Sequence, residues 1–254
     1  TRLKQRGIAF LYVTHHLHEV LEIGSRVTIM KDGAVTATLD VDETLDVDRL
    51  LGLLTGRKAT EFKRPTPPGR QAPVLRLESV AGGGVREVSL ELHPGVIVGV
   101  YGVVGCGRED LARMLVGLSR PEHGDIRLGG QPYRPSAPSQ ALARGIGYLP
   151  MGRKDNGILP NRPIRENLNL TGLPSFAAFG FVSNGRERRR CEETLRRFRV
   201  KFDSMEAPIT SLSGGNQQKL VAGREFSKQP SLVVAGQPTR GLDVSAAAFI
   251  RDLL

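Results

Sequence analysis

The 254 residues carry 36 Lys and Arg against 26 Asp and Glu, a formal net charge of +10, with 39% hydrophobic and 24% charged residues. That balance describes a soluble globular protein of one large or two smaller domains, and no apolar run approaches the length of a membrane-spanning helix. Cys106 and Cys191 stand far apart and fit no ligand pattern, so a reducing compartment is expected, and no signal segment is visible.

Residues 8–13 are a continuous apolar run, predicted as a strand buried on both faces. It ends at Thr14-His15-His16, and a helix follows through Leu17, Val20 and Leu21. Residues 26–31 and 34–39 read as strands joined by a tight Asp32-Gly33 turn. Residues 46–54 form an amphipathic helix. Pro65, Pro67, Pro68, Gly69 and Pro73 then rule out regular structure and mark a semi-extended linker. Beyond it, strands are predicted at 74–80, 85–92, 96–100, 125–128, 146–149 and 232–235, with largely helical chain between the last two. Alternating helices and short buried strands argue for an α/β domain. The chain opens on Thr and ends inside a helical pattern, as expected of a piece of a longer protein.

The basic excess is densest over 186–201, where Arg188, Arg189 and Arg190 precede Arg196 and Arg197. Phe198 is the only aromatic there, which leaves no platform for stacking bases. Interleaved Glu187, Glu192 and Glu193 read as a solvated helix face, so no nucleic-acid partner is expected.

Gly102, Gly105 and Gly107 follow a predicted strand and precede a predicted helix over 111–116, the setting a phosphate-cradling P-loop requires. Two positions depart from that chemistry. Arg108 stands where a lysine would reach the β- and γ-phosphates, and Glu109 where a hydroxyl would bind Mg2+. A carboxylate ~4 Å from a phosphate charge costs about 4 kcal/mol at an effective dielectric of about 20. Glu109 is equally a favourable first-turn residue for the helix itself. The loop is expected to hold nucleotide weakly at best.

Leu212-Ser213-Gly214-Gly215-Asn216-Gln217-Gln218-Lys219 places a hydroxyl and two glycines before a helix predicted over 217–226. Two readings stand open. Ser213 is an ordinary helix cap, or the glycines admit a phosphate to the amides and partial positive charge of a helix start. His15, His16, His18 and Glu19 cluster without HExxH spacing, and no metal site is expected within the chain.

The octapeptide resembles the signature motif of ATP-binding cassette (ABC) proteins, and the resemblance extends over essentially the whole chain. It implies a P-loop NTPase fold of the α/β class, with a parallel core sheet, an antiparallel β subdomain and a helical subdomain. Residues 1–57 resemble the end of one cassette. Residues 74–254 resemble a second, truncated after its D-loop, with 58–73 as the linker. On the same resemblance His15 is the switch histidine that senses the γ-phosphate, residues 239–243 are the D-loop with Asp243 intact, and Met151 replaces a common metal-sensing glutamine. Gly236 and Gln237 stand where a Walker B segment ends in Asp-Glu, so one supplies no carboxylate and the other no base. Arg108, the run from Arg153-Lys154 to Gly157 and the Gln-Gln-Lys after the signature resemble tandem-cassette ATPase subunits of bacterial monosaccharide importers. Residues 236–243 resemble the nucleoside-importing branch more closely, and Met151-Gly152 departs from the acidic pair usual in both.

In that family cassettes pair head to tail, and each ATP lies between one P-loop and the partner cassette's signature motif. The resemblance then sorts the residues. His15, with Ser213, Gly214, Gly215, Asn216 and Asp243, belongs to one composite site; Arg108, Glu109, Met151, Gly236 and Gln237 belong to the other. The expectation is an importer ATPase subunit for a monosaccharide, with ATP and Mg2+ as cofactors and one working site. It would be peripheral at the cytoplasmic face of the membrane, coupled to permease subunits and indirectly to a periplasmic or lipoprotein solute-binding protein. The chain by itself is expected not to hydrolyse ATP. A nucleoside importer, a soluble tandem-cassette ATPase acting on ribosome or DNA, and a purely structural remnant are the alternatives.

Overall fold

The structure is a computed structural model, and it describes residues 9–14, 17–31, 34–55, 71–172, 177–178 and 181–254. The predicted linker at 58–73 therefore lies almost wholly outside the described residues, as do His15, His16 and the Asp32-Gly33 turn. The chain divides into two compact units, Thr1–Arg64 with Gly241–Leu254, and Pro65–Arg240.

In the first unit β1 (Arg26–Lys31) pairs antiparallel with β2 (Ala34–Asp40), with a register irregularity between Ile29 and Met30. Helices α1 (Leu17–Ile23) and α2 (Val47–Thr55) accompany this ribbon, and α8 (Val244–Leu253) lies against α2. Ile29, Leu45 and Leu50 form the buried centre, flanked by Leu17, Leu21, Val27 and Leu39. Helix α2 begins one residue later than predicted because Asp46 stays outside as its cap, its carboxylate accepting from the Arg49 amide at 2.7 Å.

The second unit holds a four-stranded antiparallel sheet in the order β4-β3-β5-β6, built from Leu75–Gly82 (β3), Val85–Leu92 (β4), His123–Leu128 (β5) and Gln131–Pro132 (β6). Beside it β7 (Ile146–Leu149) and β10 (Leu232–Ala235) pair in parallel. Helix α3 (Arg108–Leu115) turns Leu111, Met114 and Leu115 into a core that contains Leu75, Leu77, Val80, Ile126, Ile146 and Leu232. Each such side chain contributes roughly 1.5–3 kcal/mol by leaving water. A short α4 (Pro138–Ala143) precedes β7. A helical part follows, α5 (Ile164–Asn169), α6 (Asn184–Arg197) and α7 (Gly214–Phe226), with the short antiparallel pair β8 (Ala177–Ala178) and β9 (Phe181–Val182) between α5 and α6. Leu195, Phe198, Leu220 and Val221 are buried within it. A Cβ on Gly223 would meet the Phe198 ring at 3.2 Å, so glycine is what lets α7 approach the end of α6 this closely.

Two predicted strands do not form. Residues 9–14 and 96–100 are irregular and solvent-facing, with Leu11 94% and Ile97 68% exposed. Their apolar runs are strand-like, but a strand is a ladder of hydrogen bonds to a neighbour. Among the described residues nothing pairs with either run.

Candidate functional site

The glycine loop at 102–107 and the start of α3 are built by close packing. Gly107 caps α3 at φ +88°, a left-handed conformation, and a Cβ there would overlap the carbonyl oxygen of Gly84. Glycine is thus required twice over. Asp110 fastens the same junction, accepting from the Gly84 amide at 3.0 Å across the β3–β4 turn. Arg108 folds back, its guanidinium donating to the carbonyl of Gly102. The cation that stands at the phosphate-binding position is thus spent on the loop's own backbone. Glu109 is exposed, and its charge acts with burial to push the Tyr148 hydroxyl above its ordinary pKa, against Arg113. The first turn of α3 therefore presents carboxylates, which suit the helix dipole and oppose an incoming phosphate.

The parallel β7–β10 pair positions Gly236 and Gln237. The Gly236 amide donates to the carbonyl of Leu149 at 2.8 Å, carrying the ladder one residue past β10. That register sets Gly236 against Met151. A Cβ on Gly236 would overlap Cγ of Met151 and lie 3.0 Å from its backbone nitrogen. Met151 thus fills the space that any side chain at 236 would need. Gln237 sits at φ +46° with its amide oxygen accepting from Arg240 at 3.3 Å. Just after Met151, residues Arg153–Gly157 form a single π-helical turn whose Asn156 amide returns to the Gly152 carbonyl at 2.7 Å. Among the described residues no group of three His, Cys, Asp or Glu could hold a metal. Mg2+ does not fit this P-loop: the positions around it offer Arg108, Glu109, Gly236 and an apolar thioether.

The signature stretch is organised differently. Helix α7 begins at Gly214, three residues before the predicted start, with Ser213 as its cap. Ser213 Oγ accepts from the Asn216 amide at 3.4 Å and from Asn216 Nδ2 at 3.1 Å. Asn216 Oδ1 in turn accepts from the Lys201 amide at 3.0 Å, tying the helix start to the chain after α6. The Gln217 amide donates to the Ser213 carbonyl at 2.9 Å, and its side-chain amide donates to Ile209 and Leu212 carbonyls at 3.3 and 3.1 Å. The third and fourth amides of the helix are thus engaged at its own cap, and Gly215 in the first turn is buried. Ser213 is exposed and lines an open pocket of about 400 Å³ with Lys201, Asp203, Ser211 and Asn216. None of the P-loop residues lines it. The polar groups this pocket offers at the helix start are those of Ser213 and Asn216.

Asp243 is also a helix cap, accepting from the Ala246 amide at 2.8 Å at the start of α8, in the other compact unit. His15 lies outside the described residues. Sequence reasoning passed over Asp110 and the Met151–Gly236 contact. The triplet Gly82-Gly83-Gly84 was the available signal for the first, since consecutive glycines mark a close backbone approach.

Residues 85–240 match the protein family described as ABC transporter. A ribose import ATP-binding protein of Rubrobacter xylanophilus is 34% identical over 99% of this chain and 49% of its own length. An arabinose import ATP-binding protein of Pseudomonas syringae is 36% identical over the whole of this chain and 50% of its own. The chain spans about half the length of the curated relatives it matches. Among solved structures, a dimeric ATP-binding cassette in a post-hydrolysis state bound to ADP and Pi superposes with a TM-score of 0.58 at 22% identity, covering 70% of this chain and 80% of that one. A nucleotide-free cassette from an ABC transporter gives 0.60 at 17%, covering 72% and 76%. These likenesses carry the fold, a P-loop ABC cassette.

Proposed function

The chain belongs to the ABC transporter family, and from that premise we propose that it is part of the ATP-binding subunit of a sugar importer. In this reading residues 1–57 close one cassette and 74–254 form most of a second. The second cassette lends its signature motif to the first cassette's nucleotide site while its own P-loop site has lapsed. The observation that carries the reading is the contrast between two helix starts. Helix α7 is capped by an exposed Ser213 that lines an open pocket, with Gly214 and Gly215 in its first turn. Helix α3 keeps its fold, but Arg108 is turned inward and no metal-binding carboxylate stands at 236.

ATP is the proposed cofactor, with Mg2+ held by residues outside this chain, and it would supply the phosphoryl group whose hydrolysis drives transport. Ser213, Gly214, Gly215 and Asn216 would position the γ-phosphate, with His15 and Asp243 completing the same site. The names of the relatives, ribose and arabinose import ATP-binding proteins, support a monosaccharide as the transported solute. Among the described residues no helix is long and apolar enough to cross a membrane. As the import names of the relatives suggest, the protein would work with permease subunits, peripheral at the cytoplasmic face, and a solute-binding protein would deliver the sugar. The second cassette alone would not hydrolyse ATP.

The test is Mg-ATPase activity of the protein extended through a complete first cassette, with and without Ser213→Arg. A long cation in place of the cap hydroxyl should lower activity by about 100-fold or more, the scale of losing one transition-state donor. Activity unchanged in the variant would place hydrolysis elsewhere and overturn the one-site reading.

A further inference from the structure

The chain that follows Met151 is tied to the start of α7 by a continuous set of hydrogen bonds. Its centre is Asn167 of α5, which is fully buried. Asn167 Oδ1 accepts from the Leu159 amide at 2.7 Å. Its Nδ2 is shared among the carbonyls of Leu159, Arg162 and Pro163 at 3.0, 3.1 and 3.1 Å. Only a side-chain amide offers an acceptor and two N–H donors in this space; a carboxylate or a hydrocarbon does not. Asn167 thereby fixes the turn that comes just after the π-helical Arg153–Gly157.

That turn passes the constraint on. The Arg162 carbonyl that accepts from Asn167 also accepts from the Ile209 amide at 3.2 Å. The amides of Ile164 and Arg165 donate to the carbonyls of Ala207 and Met205, both at 3.0 Å, and Pro163 and Pro208 form an antiparallel bridge. Residues 205–209 therefore run as a strap along 162–165. Helix α7 grips the far end of the strap. Gln217 Nε2 donates to the Ile209 and Leu212 carbonyls, and the Leu212 amide closes a short turn onto the Ile209 carbonyl at 3.1 Å. Ser213 is the next residue. Arg165 also holds the strap through Glu206 at 3.1 Å, but Glu206 is exposed and salt screens such a pair. The route through Asn167 and Gln217 is buried at both ends.

We propose, on the reading in which Ser213 serves a nucleotide, that Asn167 and Gln217 are positioning residues for it. Asn167 sets the place of the strap, and Gln217 sets the start of α7 against the strap. The Ser213 hydroxyl is thus held in register with the loop that follows Met151. Neither residue lines the pocket that Ser213 lines, so both act through the backbone between them. A reacting group misplaced by about 1 Å costs about 100-fold in rate, which is the leverage such a relay has.

The experiment measures kcat for Mg-ATP in the protein extended through a complete first cassette. Asn167→Asp and Gln217→Met are each compared alone and combined with Ser213→Ala. Each single variant should lower kcat by about 100-fold. Each double variant should be no slower than its slower parent, because groups that act as one unit do not lose activity additively. Losses that multiply would mean a merely structural role and overturn the proposal. Amide hydrogen exchange without nucleotide reads the same relay independently of catalysis. Asn167→Asp should speed exchange at Ile209, Leu212 and Asn216, and unchanged exchange there also overturns the proposal. Gln217→Met keeps both measurements decisive if Asn167→Asp does not fold. Full activity in Ser213→Ala would instead overturn the nucleotide reading, and exchange alone would then decide the positioning.

Discussion

Helix α3 begins after a glycine-rich turn and helix α7 carries two glycines in its first turn, yet the two beginnings are held in place by opposite means. The start of α3 is steric. Gly107 presses against Gly84, Asp110 clamps the β3–β4 turn, and Arg108 closes on Gly102. Asp110 and Arg108 are both spent on backbone groups of the protein, while Glu109 stays exposed. The start of α7 is a hydrogen-bonded cap on an open surface, with Ser213, Asn216 and Lys201 forming a short chain of donors and acceptors. The lesson is that a motif's shape outlasts its chemistry when the shape carries the packing. The P-loop backbone is kept because the β3–β4 turn needs it, whether or not nucleotide is bound.

That contrast can be broken most severely at Gly107. Gly107→Ala combines a positive φ with an overlap against backbone, and backbone cannot yield as a side chain can. The expected loss is about 3 kcal/mol of stability, read as a shift of the urea midpoint. A loss under about 1 kcal/mol would show that packing does not hold this loop. The next largest effect is at the neighbouring eroded position. Gly236→Ala should cost about 2 kcal/mol by overpacking against Met151. Most of that cost should return when Met151→Gly is combined with it, and additive losses in the double variant would refute the contact. The smallest effect belongs to the open helix start. Ser213→Ala should cost about 1 kcal/mol, the usual value of a helix cap, measured by the same unfolding. Equal losses at Gly107 and Ser213 would erase the distinction between a packed and a capped beginning.

Much of this was legible beforehand. Ser213 before paired glycines announced a helix start, although α7 begins at Gly214 rather than at the more helix-prone Gln217. A good cap lets glycines occupy the first turn despite their low propensity. The glycine turn leading into α3 was legible from the spacing of Gly102, Gly105 and Gly107. The hairpin strands and the β7–β10 segments were legible because alternation and short apolar runs are local patterns. What was misread were residues 8–13 and 96–100, whose composition is that of buried strands. Apolarity states a preference for burial and names no partner.

The sequence by itself determined the cassette motifs, their order and the side-chain chemistry each can offer, because those depend on residue identity and short spacing. Only the tertiary structure decided that Met151 fills the volume above Gly236, that Arg108 turns onto Gly102, and that Asn167 and Ile209 meet at the Arg162 carbonyl. It also decided that the exposed run at 96–100 is not a strand. Each of these is a relation between groups, some of them distant in the chain, and hydrogen-bond ladders, excluded volume and buried charge are settled in pairs.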